Sequence, residues 1–204
     1  GNFEAVTRAG TATTTVTDDA DATTVTITAS TANVAEGGSI TYTASVNNAV
    51  TGTPLAITLS NGQTITIPVG QSSATSAVFA VRADDAYAQG TQTLNVGISS
   101  ISGGNYEALT TTSTASTTVT DDADATTVTI STTTATVTEG GSIVYTATTS
   151  NPVTGSALVV TLSNGQTITI PVGQSSANSA PWAVRGDDAY AQGTQTLNVT
   201  ATGT

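Results

Sequence analysis

Carboxylates are the only side chains here whose type and spacing could support chemistry. Twelve of the fourteen acids fall in three recurring places: Asp18, Asp19 and Asp21 with Asp121, Asp122 and Asp124; Asp84 and Asp85 with Asp187 and Asp188; and Glu36 with Glu139. Such hard oxygen donors, at six to eight per ion, suit Ca2+, whereas transition metals favour imidazole or thiolate. The sequence has no His, Cys, Met or Lys, and its three cations are Arg8, Arg82 and Arg185, for a formal charge of −11. That removes the imidazole base, the thiolate nucleophile, disulfides and Schiff-base chemistry, and no nucleophile–base pair of an enzyme is left. Three scattered arginines cannot neutralise a nucleic-acid backbone, and no apolar run reaches the roughly 18 residues of a membrane span. Neither nucleic acid nor membrane insertion is therefore expected.

The elements that position these acids come in two copies. VTDDADATTVTI at Val16 to Ile27 returns at Val119 to Ile130, LSNGQTITIPVGQSSA at Leu59 returns at Leu162, and DDAYAQGTQTLNV at Asp84 returns at Asp187. The offset is 103 residues throughout, and 72 of 101 aligned positions are identical. The chain divides accordingly into a linker with an orphan last strand over 1–21, one complete repeat over 22–124, and a second over 125–204 that lacks its own last strand.

Thr supplies 48 of 204 residues, and β-branched residues fit a pleated, half-buried surface, so the fold class is all-β. Within one repeat, period-2 alternation marks seven strands. These are Thr23 to Thr28; Ser39 to Val46 with Ile40, Tyr42, Ala44 and Val46 inward; Leu55 to Leu59; Thr64 to Val69; a fifth with Ala77, Phe79 and Val81 inward; a sixth with Leu94, Val96 and Ile98 inward; and a weaker seventh with Ala115, Thr117 and Val119. Asn61-Gly62 between the third and fourth favours a two-residue hairpin turn. Seven short strands in about 100 residues read as immunoglobulin-like antiparallel β-sandwich domains, in tandem and end to end as a rod. Phe79 and Trp182 are expected in the core, and Val78 and Pro181 outward on an edge. Tyr87 and Tyr190 are expected to anchor their own loops through the hydroxyl. Arg82 and Arg185 are expected to make exposed ion pairs of little net stability.

If the strands alternate in direction, Glu36, the Asp84-Asp85 loop and the end of the last strand at Asp121 share one pole. Asp-Asp and Glu-Gly-Gly are ordinary turn residues, but a random scatter of acids would not converge at one pole in both copies. Like charges about 5 Å apart repel by roughly 1 to 3 kcal/mol per pair, so such a cluster calls for a bound cation.

The pattern TVTEGGSIVYTAT, SNGQTITIPVGQSS, DDAYAQGTQTLNV and VTDDAD resembles the extender repeats of giant RTX adhesins of Gram-negative bacteria. It is also similar to Calx-beta domains, though a short Ser-Asn-Gly turn stands where those carry a longer Asp-containing loop. The resemblance implies calcium binding at Glu36, Asp84, Asp85, Asp121 and Asp122, and at Glu139, Asp187 and Asp188 in the second copy. It further implies an extracellular, cell-surface spacer, rigidified by calcium, that projects a distal adhesive domain for attachment or biofilm formation. Its partners are then neighbouring repeats of the same chain or other copies head to tail; the alternatives are a strand-complemented filament subunit and a ligand-binding adhesin module.

The orphan segment carries one more expectation. Thr11 to Thr17 of one molecule completes the 125–204 domain of the next, since a two-domain rod of roughly 80 Å keeps it from folding back. Asp18, Asp19 and Asp21 then arrive beside Glu139, Asp187 and Asp188.

Overall fold

The computed structural model describes residues 1–111 and 113–204. It is all-β, and the chain gathers into two compact units: Gly1–Val34, Gly38–Val81 and Gln92–Val119 in the first, Ala35–Gly37, Arg82–Thr91 and Thr120–Thr204 in the second. The Glu36 turn and the 82–91 loop thus group with the chain that follows the first repeat.

The first repeat contains β1 (Ala22–Ala29), β2 (Asn33–Ala35), β3 (Ser39–Ile40), β4 (Tyr42–Val46), β5 (Leu55–Leu59) and β6 (Thr64–Ile67), then β7 (Ser73–Thr75), β8 (Phe79–Ala80), β9 (Gln92–Ser102), β10 (Ala108–Thr111) and β11 (Thr114–Thr120). A four-stranded sheet in the order β10-β1-β4-β7 faces a five-stranded sheet β2-β11-β9-β5-β6. Inward residues of both, among them Val25, Ile27, Ala44, Leu55, Ile57, Ile65 and Val96, form one core. This is the immunoglobulin-like sandwich that the alternation implies, and Ala115, Thr117 and Val119 on β11 are fully part of it, each at most 4% exposed.

Several local expectations are corrected. The second expected strand breaks at Thr41: β3 pairs with β8, while β4 pairs with β1 and β7. The fifth breaks at the matching place, where the buried Ser76 hydroxyl accepts from the Tyr42 amide and donates to the Ala77 carbonyl. Ala77 is therefore exposed, whereas Phe79 packs on the core with its ring 6.3 Å from that of Tyr42. The fourth strand stops at Ile67 because Pro68 has no amide to continue a ladder. One pair, β1 with β10, is parallel, so the sandwich is not purely antiparallel.

The expected two-residue turn is in fact a three-residue loop. The Leu59 amide donates to the Gln63 carbonyl and the Gly62 amide to the Leu59 carbonyl, so Ser60, Asn61 and Gly62 form the loop. Gly62 alone has positive φ, +86°, the pattern of a type I turn closed by a left-handed residue.

The second repeat contains β12 (Val128–Thr132), β13 (Ser142–Ile143), β14 (Tyr145–Thr149), β15 (Leu158–Leu162), β16 (Thr167–Ile170), β17 (Ser176–Asn178), β18 (Trp182–Ala183) and β19 (Ala201–Gly203). Its sheets are β12-β14-β17, β13-β18 and β16-β15-β19 around a core of Ile143, Tyr145, Val160, Leu162, Ile168 and Ile170, with Trp182 against it. Pro181 is exposed, as is Val78. Residues 191–200, where the sixth strand of this copy is expected, form no strand; their counterparts in β9 are laddered to β11.

Nothing lies within 4 Å of where a Cβ on Gly62 would stand. Gly62→Ala should therefore cost only the left-handed backbone penalty, about 1–2 kcal/mol, read as a lower denaturation midpoint with an unchanged slope.

Candidate metal centre

Main-chain bonds fix the turn that carries the central acid. The Glu36 amide donates to the Thr120 carbonyl at 2.9 Å and the Gly37 amide to the Arg82 carbonyl at 2.8 Å. The turn is thus held between the start of the 82–91 loop and the end of β11, all within the second compact unit. Gly37 has φ +70°, and a Cβ there would stand 2.7 Å from the Asp84 Cβ, so only glycine lets Asp84 approach Glu36.

The 82–91 loop is shaped by its own acid. Asp85 accepts from the Tyr87 amide at 2.9 Å and from the Gln89 side-chain amide, an Asx-type turn. The Tyr87 hydroxyl donates to the Pro152 carbonyl at 3.0 Å; the expected anchor within its own loop is not formed.

Arg82 lies at the middle of the cluster. Its Nε donates to Glu36 at 2.7 Å and its Nη2 to Asp121 at 3.2 Å. The Glu36 side chain has no exposed surface and that of Arg82 keeps 16%, which corrects the expectation of an exposed, inconsequential pair. Asp121 also accepts from the Gln89 amide at 2.9 Å and the Gly90 amide at 3.3 Å.

Three carboxylates, Glu36, Asp84 and Asp122, each present an oxygen within 4.8 Å of the others. Glu36 gives one oxygen to Arg82, while its Oε1 is buried without a hydrogen-bond partner among the described residues. A carboxylate with one desolvated oxygen, grouped with two further acids and offering oxygen donors alone, fits a hard divalent cation. Burial is the largest influence on Glu36 and raises its carboxyl pKa against the opposing pull of Arg82. Asp124 is raised chiefly by the charge of Asp84, then by burial and by Asp122, Asp85 and Asp121. Burial opposes ionisation of Asp121, yet the Gly90 and Gln89 amides together with Arg82 hold it below the usual range.

The structure thus brings Glu36, Asp84, Asp122 and, through its field, Asp124 together, while Asp85 and Asp121 hold the frame. In the second copy Glu139 meets Arg185 at 3.3 Å and keeps 26% of its side chain exposed, and Arg185 turns to the Gly193 carbonyl at 2.8 Å. Asp188 accepts from the Tyr190 amide at 2.7 Å, as Asp85 does from Tyr87. Asp187 is exposed, and Asp18, Asp19 and Asp21 are exposed in a segment without strand, where the Asp21 amide donates to Glu107 at 2.6 Å. The central role of Arg82 escaped the sequence reading; its one trace is that two of the three cations recur in register.

Two outcomes follow for the chain in chelator. Arg82→Met should lower the melting temperature more than Arg185→Met, because only the former strands a fully covered carboxylate. Glu36 and Asp124 hold their protons more tightly when folded than unfolded, so stability rises as pH falls toward their ordinary values of 4.5 and 3.8. Asp121 works oppositely: its contribution is present above 3.8 and is lost as pH falls through its lowered value. The melting temperature should therefore climb on mild acidification and drop below about 3.8; a steady fall from neutral pH would contradict this assignment.

No curated protein matches the chain. Among solved structures it is similar to FdeC, an Escherichia coli adhesin, with 20% identity over 77% of this chain and 55% of that one, at a TM-score of 0.29. The chain spans about half the length of that structure. The model of the LapA domain matches residues 21–122 and 124–204, one match per repeat. The chain belongs to the LapA domain family, a large adhesin family.

Proposed function

We propose that these repeats are calcium-rigidified spacers of a bacterial cell-surface adhesin, of the RTX extender type, which hold a distal adhesive domain away from the cell for attachment or biofilm formation. The observation that carries this is the grouping of Glu36, whose Oε1 is buried without a hydrogen-bond partner among the described residues, with Asp84 and Asp122. Glu36, Asp84 and Asp122 would hold the ion, with Asp124 close enough to add charge. The ion neutralises their mutual repulsion and ties together three stretches of chain: the turn after β2, the 82–91 loop and the connection after β11. Pinning that connection removes torsional freedom between one repeat and the next, which is what a spacer under load requires. The millimolar calcium outside cells keeps even a site of moderate affinity filled.

Ligand that binds only the folded state adds about 2.7 kcal/mol at 100 times Kd, so calcium should raise the melting temperature by several degrees and chelator should reverse it. Asp84→Asn and Asp122→Asn should each weaken calcium binding in titration calorimetry. In a double-mutant cycle their effects should be coupled, since both act on one ion. Calcium-independent melting, or two additive losses, would sink the shared site.

A further inference from the structure

Among the described residues Arg82 is the one cation paired with the acids around Glu36, and the main chain fixes where it stands. The Gly37 amide donates to the Arg82 carbonyl at 2.8 Å, and the Val81 amide donates to the Gly38 carbonyl at 3.1 Å. The chain just after β8 is thereby laced to the turn that carries Glu36. From there the Arg82 Nε reaches Glu36 Oε2 at 2.7 Å and its Nη2 reaches Asp121 Oδ1 at 3.2 Å. Only 16% of the Arg82 side chain is exposed and none of the Glu36 side chain, so solvent and salt screen this pair much less than a surface one.

Such a charge acts in opposite directions on the empty and the filled site. While the site is empty, the guanidinium offsets the repulsion among the acids. A divalent cation that enters meets the same charge as repulsion. The commitment of Oε2 to Arg82 also leaves Glu36 one free oxygen, Oε1, although calcium can take a glutamate through both. By linkage, a group that favours the empty state over the filled one lowers affinity by the same factor.

We propose that Arg82 is a built-in counter-ion that sets the calcium affinity of this pole. It holds Glu36 and Asp121 in place without the ion, and it weakens the ion's binding through its charge and by restricting Glu36 to a single oxygen. The inference rests on the calcium reading and deepens it. Oxygen-ligated calcium sites are tuned by ligand charge and rigidity, across a range that reaches about 10⁻⁴–10⁻³ M in extracellular modules. Arg82 moves a pole rich in acids toward that weak end, where the site exchanges its ion with the surroundings instead of trapping it.

The test is calcium titration calorimetry of the 204-residue chain, read at the site that Asp122→Asn removes. Arg82→Met should bind calcium at least about tenfold more tightly than wild type, since the repulsion between one charge and a divalent ion a few ångströms apart is worth that much even at the dielectric of water. Arg82→Gln is also neutral but keeps a donor for Glu36; it should tighten binding as well, and it serves where calcium-free Arg82→Met does not fold. Arg82→Lys keeps the charge and should stay within about threefold of wild type. Saturating calcium should narrow or reverse the deficit in melting temperature that Arg82→Met shows in chelator. Unchanged or weaker binding in the neutral variants, or an Arg82→Lys chain as tight as Arg82→Met, would overturn the role of Arg82 and leave the calcium site standing. A wild-type chain that binds no calcium would overturn the calcium reading and this inference with it.

Discussion

The bridge from Arg82 to both Glu36 and Asp121 is the contact on which the arrangement of the acidic pole depends. A guanidinium presents a rigid fork of donors, so it can hold two carboxylates from different parts of the chain in fixed positions, which an ammonium would do less well. Asp121 is the first residue after β11, and Glu36 directly follows β2, the strand beside it. Asp121, at the end of β11, reaches the same Arg82 that holds Glu36. The 82–91 loop is then closed by the amides of Gln89 and Gly90 on the same Asp121.

One guanidinium cannot balance this pole. Glu36, Asp84, Asp85, Asp121, Asp122 and Asp124 are six carboxylates against Arg82, and Arg82 is committed to Glu36 and Asp121. Asp85 spends its acceptors on its own loop. The remaining charge concentrates on Asp84, Asp122 and Asp124, where the charge of Asp84 is the chief influence raising the Asp124 carboxyl pKa, with burial second. Solvent screens exposed charges of this kind, but the covered oxygen of Glu36 lies out of contact with solvent and has no donor among the described residues. Repulsion outside and an unsatisfied acceptor inside point at the same small volume.

Alternation of apolar and polar residues made the strands legible, because one face of each sheet is buried and the side-chain period is two. Ile40, Tyr42, Ala44 and Val46 are all inward as the pattern requires. The break at Thr41 was invisible for the same reason: Ile40 and Tyr42 keep their parity across it, so a change of partner strand leaves the pattern intact. Ala108–Thr111, which pairs in parallel with β1 at a sheet edge, is only partly covered and shows no period. The grouping of the acids was readable from their recurrence. What separates the framing acids Asp85 and Asp121 from Glu36, Asp84 and Asp122 is which backbone amides lie within reach, and sequence spacing does not encode that.

The two repeats separate local sequence from its surroundings. With 72 of 101 positions identical, they share the Glu-Gly turn, the Asp-Asp loop and its Asx bonds, and in both the glycine amide after the glutamate donates to the arginine carbonyl. Those features need only neighbouring chain and form in each copy. Burial of the glutamate does not: Glu36 is covered and Glu139 keeps 26% exposure, although the residues around them in sequence are nearly the same. In the first copy β11 adjoins β2 and ladders to β9, so Glu36 directly follows a strand held in the sheet. A carboxylate held in water binds a cation weakly because hydration competes, whereas one already stripped of water has less to lose on coordination. How far the glutamate of such a pole is stripped of solvent is therefore set by what packs beside it more than by the neighbouring acids themselves.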